Sequence, residues 1–188
     1  MRHSPHCRSA LVALLTAFVA LGLADDKKPD DKKPAIVLPR DPKAVVLTFD
    51  PGAGGFVRKG EAPQLKIQAD GQVTVVSPHD GTKKEGKLTA QELDELLRFV
   101  VQDKDFYSLT TAKIDAGIQD AAGKGPFIAV GGAGTSTITV ENDGKKHEVK
   151  YRGASAYLRT YPKVEPLARY VAVEKRLSDL AQSVAKGK

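Results

Sequence analysis

Chemistry at neutral pH needs a base, a nucleophile or a metal ligand, and two histidines, His79 and His147, stand beyond the N-terminal segment that holds His3 and His6. A nucleophile triad would need one of them brought together with a serine and an acid. His79 is the candidate for such a site, a small secreted hydrolase being the alternative reading of the chain. It sits in a Pro-Gly loop, however, where a solvated turn residue is the commoner use. His147 falls in a strand pattern and reads as a residue lining the core edge. The chain holds no H-E-x-x-H, no G-x-S-x-G and no dinucleotide fingerprint. Two glycine clusters, Gly52 to Gly55 and Gly131 to Gly134, lack the following helix whose N-terminus would face a phosphate. Gly117 and Gly123-Lys124 fail as a nucleotide loop, because Gly125 stands where a Mg²⁺-binding serine or threonine is needed. No catalytic residue, cofactor or metal is therefore expected.

The N-terminus places the chain outside the cytoplasm. Arg2 and Arg8 precede an apolar run from Ala10 to Leu23, and Gly22-Leu23-Ala24 reads as a small-x-small cleavage site, so residues 1–24 are expected to be a signal peptide. The run falls short of the roughly 20 residues that span a bilayer, which argues against a retained anchor. Removing 24 of the 188 residues leaves 164, enough for one core, and takes away Cys7, the single cysteine. Thiol chemistry, disulfides and cysteine metal sites go with it. The leader's two arginines reduce the formal net charge of +6 to +4, a mild excess that argues against a nucleic-acid partner and is compatible with peripheral contact at an anionic envelope surface. A monomer is expected.

Residues 25–43 begin with the tandem DDKKP-DDKKP, whose four acids balance four bases, and are expected to be a disordered linker. Residues 44–188 should form one domain. Its organising stretch is Leu65 to Leu109. Leu65, Ile67, Val73 and Val75 alternate with polar residues on either side of Asp70-Gly71. A two-residue loop would mix apolar and polar side chains on each face. A three-residue loop, Ala69-Asp70-Gly71, sets Leu65 opposite Val75 and Ile67 opposite Val73, and needs a left-handed residue at Gly71.

After a polar segment, Ser77 to Lys87, read as a loop, Thr89-Ala90-Gln91-Glu92 forms a capping box. Leu93, Leu96, Leu97, Val100 and Val101 follow at helical spacing. Asp105 to Leu109 supplies two aromatics, Ile114 to Gly123 a glycine-capped helix, and Phe127 to Val130 a short strand. A second hairpin, Ser136 to Tyr151, should turn at Asp143-Gly144, by a two-residue turn or a four-residue one at the same place, with Ile138 opposite Val149 and His147 opposite Val140. Tyr157 to Tyr161 suggests a helical turn stopped by Pro162, and Pro166 opens a last helix.

Separated hairpins with helices between and after them define an α+β fold, an antiparallel β-sheet with helices packed on one face. The other face, carrying Lys66, Gln68, Thr74, Thr137, Thr139, Glu148 and Lys150, should be wet. The pattern L-x-I-x-A-D-G-x-V-x-V, then L-T-x-x-E-L-x-x-L-L-x-F, then D-F-Y, resembles a class of small exported bacterial proteins of unknown function. The resemblance implies no catalytic residue. What remains is a non-catalytic exported domain binding a protein or envelope component. Val45, Leu47 and Phe49, in a β-rich run introduced by prolines, are the candidate edge strand for capture of an extended segment.

Overall fold

The computed structural model describes residues 34–52, 65–77, 80–123 and 133–187. Six antiparallel strands form one sheet: β1 (Val45–Asp50), β2 (Leu65–Gln68), β3 (Gln72–Val76), β4 (Lys83–Lys87), β5 (Thr135–Asn142) and β6 (Lys145–Arg152). Their spatial order is β4-β3-β2-β1-β5-β6. The helices are α1 (Ala90–Arg98), α2 (Thr111–Ala122), α3 (Ala154–Thr160) and α4 (Glu165–Ala185). The expected strand at Phe127 to Val130 lies outside the described residues.

Both hairpin registers follow from the alternation in the sequence. Leu65 pairs with Val75, Lys66 with Thr74 and Ile67 with Val73, around the three-residue turn with Gly71 at φ 84°. In the second hairpin Ile138 pairs with Val149, Val140 with His147 and Glu141 with Lys146, around a two-residue turn whose Asp143 and Gly144 both have positive φ, 53° and 66°. That double left-handed turn matches the right-handed twist of the strands it joins.

The capping box closes as its residues require. The Glu92 amide donates to the Thr89 hydroxyl (3.2 Å), and the Thr89 amide donates to the Glu92 carboxylate (2.8 Å). Leu93, Leu96 and Leu97 are then buried, and the helix continues as a wider π-helical turn, Phe99–Asp103, that carries both Val100 and Val101 into the core. Phe106, on a short 3-10 turn, is fully buried beside them. α2 ends at Gly123 with φ 58°. α4 buries Leu167, Tyr170, Val173, Leu177, Ala181 and Val184.

Three expectations are corrected. β1 is not an edge strand: it pairs with β2 on one side and β5 on the other, so Val45, Leu47 and Phe49 offer no free ladder of backbone groups. Second, the polar loop Ser77 to Lys87 contains a strand, β4, held by pairing of Lys83–Lys87 with Gln72–Val76 although its composition is poor for strand. Third, part of the expected linker belongs to the domain: Pro34, Ala35 and Val37 are hydrogen-bonded to Gln102, Asn142 and Asp143.

Candidate functional site

The helix-free face of the sheet carries one local irregularity, in β1. Val45 stands opposite Gln68 while Leu47 stands opposite Ile67, so two steps on β1 match one on β2 and Val46 is the extra residue of a β-bulge. Without the bulge Val45 would share the core side with Leu47 and Phe49, which are each 1% exposed. With it, Val45 lies on the side of Gln68 and Lys66. Bulges re-aim side chains in this manner and recur beside functional sites.

Around the bulge is a groove of about 420 Å³. Its floor combines the Val45–Thr48 run with Thr139, and its walls carry Lys66, Glu141, Lys146 and Glu148. The register explains the gathering: Thr48 pairs with Lys66 on β2 and with Thr139 on β5, and Thr139 in turn pairs with Glu148 on β6. Four adjacent strands thus present one row of polar side chains. Glu148 accepts from the Thr139 hydroxyl (3.3 Å) and lies 3.0 Å from the Lys150 ammonium. Lys150, with lesser help from Thr139 and Lys146, holds the Glu148 carboxyl below the ordinary glutamate range. Lys66 and Lys146 make no ion pair among the described residues. The groove can supply two ammonium groups, hydroxyls and a small apolar floor; it has no nucleophile–base pair.

Of the residues singled out from sequence, Val45 and Leu47 line this groove, and Phe49 is buried in the core beneath the sheet. Sequence reasoning put Lys66, Thr139 and Glu148 on the wet face. It did not see the bulge that gathers them, since Val45-Val46-Leu47 is equally apolar with or without it.

His79 lies outside the described residues. Near it in sequence, a cleft of about 450 Å³ separates the β3–β4 end of the sheet from α4, with Asp80 and Thr82 on one side and Ser178 and Gln182 on the other. Asp80 accepts from the Thr82 amide (3.0 Å), and hydrogen bonds from Thr82 and Ser77 hold its carboxyl well below the usual range. Those bonds tie the turn together. His147 packs edge-on to Phe106 with ring centres 5.6 Å apart, and its Nε2 lies 2.7 Å from the Leu109 carbonyl oxygen, which makes it a core-edge brace. Among the described residues no group of three or more histidines, cysteines or acids could hold a metal ion, and no helix is long and apolar enough to cross a membrane.

The real edges are guarded. β4 carries Lys83, Lys84 and Lys87, charges that discourage strand addition. Along β6 the Lys145 and Lys150 carbonyls accept from the Tyr107 and Thr111 hydroxyls at 3.0 and 2.7 Å. No family model matches the chain, and neither a curated protein nor a solved structure is significantly similar to it.

Proposed function

We propose that this chain is a non-catalytic exported domain that binds a protein or an envelope component through the helix-free face of its sheet. The observation that carries the reading is the groove at the β1 bulge, where Lys66 and Lys146 stand over a floor that includes Val45. Helices cover the other face, and the strand edges are occupied by lysines or by side-chain hydroxyls, so the open face is the surface left for a partner. The tripartite N-terminal segment supports export.

Immobilised protein incubated with envelope extract should retain a defined component. Lys66→Glu combined with Lys146→Glu should abolish that retention while leaving the thermal melt within a few degrees of the parent. Retention unchanged by the double reversal would sink the reading. Turnover of ester, peptide or glycoside substrates, lost in His79→Ala, would replace it with the hydrolase alternative.

A further inference from the structure

The N-terminal arm, residues 34–38, is hydrogen-bonded at the tip of the β5–β6 hairpin through its main chain. The Val37 amide donates to Asn142 Oδ1 at 2.7 Å, and Asn142 Nδ2 donates to the Ala35 carbonyl at 2.9 Å. One side-chain amide thus bonds two alternate residues of an extended segment, as a neighbouring strand would. The Asp143 amide adds a bond to the Val37 carbonyl (3.1 Å), and Gln102 Nε2 one to the Pro34 carbonyl (2.9 Å). Asn142 is itself 6% exposed, so the clamp is built into the fold.

Three features show how the arm is attached. Ile36 is its one residue packed against the core, and a groove of about 340 Å³ lies between the arm and the Tyr107–Lys145 side of the hairpin. Val37 and Leu38 are the exposed large hydrophobics among the described residues, at 44% and 41%. Leu38, Pro39 and Arg40 make no hydrogen bond among the described residues, whereas the chain is fixed again immediately afterwards: the Ala44 amide donates to the Asp41 carbonyl (3.0 Å) and the Asp70 amide to the Pro42 carbonyl (2.9 Å). An unbonded, proline-containing hinge therefore joins a hydrogen-bonded arm to a rigid body.

We propose that the Asn142 clamp also takes the Ala35–Val37 segment of a second copy, two chains exchanging arms about a two-fold axis. The occupant is specified by what the clamp already holds, and every copy carries it. All four hydrogen bonds re-form in trans unchanged, so exchange is opposed mainly by the entropy of association and favoured by concentration. The arrangement sets two hinges side by side and gives Val37 and Leu38 the cover they lack in one chain.

The test uses the full chain with Cys7→Ser, and with Pro34→Cys and Lys145→Cys, which line the same groove, as a reporter pair for a short thiol cross-linker. Light and isotopically heavy protein are mixed, held from micromolar to millimolar concentration, and linked. Heavy–light linked dimers that grow with concentration are expected. Adding Asn142→Ala, which removes the same two bonds from the closed and the exchanged forms alike, should lower within-chain and heavy–light links together. Deleting Arg40, which shortens the hinge and strains the closed form, should increase them. Links confined to single chains at every concentration, with and without the hinge deletion, would overturn the proposal, as would heavy–light links that persist in Asn142→Ala while the within-chain links fall.

Discussion

The two hairpins turn on the same dipeptide, Asp-Gly, yet the two glycines are held to different standards. At Gly71 the turn is enclosed: the Ala69 and Asp70 amides donate to the Ala44 and Pro42 carbonyls, and the Leu88 amide donates to the Gly71 carbonyl. A Cβ on Gly71 would collide with the Leu88 carbonyl oxygen. At Gly144 a Cβ would meet nothing within 4 Å, and the turn's outside bond is that of the Asp143 amide to the arm. Positive φ demands glycine in both turns; close packing demands it in the first alone. The first hairpin is thus locked to the start of α1 and the body of the domain, and the second presents its tip to the N-terminal arm.

Perturbations should rank accordingly. Leu97→Ala, beneath the helix that begins next to Gly71, should cost about 2–5 kcal/mol in urea unfolding, because a fully buried leucine leaves a cavity. Gly71→Ala should cost more than about 2 kcal/mol, the left-handed penalty of roughly 1–2 kcal/mol being joined by the collision with Leu88. Gly144→Ala should cost about 1 kcal/mol, from backbone conformation only. Equal losses at the two glycines would break the comparison. Thr89→Ala should cost about 1 kcal/mol as a lost cap, and a larger loss than that of Leu97→Ala would show that α1 is not held by its buried face.

The smallest effect is in pH. The Thr89 amide and hydroxyl lower the Glu92 carboxyl below its ordinary value, and the Gln72 amide followed by Lys87 lowers Asp70. A depressed folded-state value means stability that is present above the unfolded value, about 4.3 for glutamate, and lost as pH falls through the folded one. Acidification from neutral pH to below that range should therefore narrow the stability gap between the parent and Thr89→Ala. Parallel pH profiles for the two would show that the Thr89 hydroxyl adds nothing to the depression of Glu92.

Much of this fold is written locally. Register in both hairpins follows from period-two alternation meeting a turn whose length the apolar faces select, and the capping box is four consecutive residues. β4 was illegible for the opposite reason: Lys83-Lys84-Glu85-Gly86-Lys87 has no strand composition, and it extends because β3 supplies a partner ladder and Gly86 leaves room for Val184 of α4. Strand order was equally hidden. β1 contacts Leu65 to Gln68 and Thr137 to Val140, and nothing within Val45–Asp50 says that both neighbours exist. The Asn142 clamp joins residues 105 and 107 positions apart, beyond any periodicity. For the groove, alternation placed Lys66, Thr139 and Glu148 on the right face, and the bulge that turns Val45 toward them has no sequence mark of its own.

Lysine acetylation with and without the retained envelope component tests the central claim most directly, because Lys66 and Lys146 flank the groove while Lys175 lies on α4, ion-paired to Asp179. Binding through the helix-free face predicts that Lys66 and Lys146 are protected in the complex and that Lys175 reacts as it does in the free protein. Protection of Lys175 with Lys66 and Lys146 still fully reactive would contradict it and move the interface to the helical side.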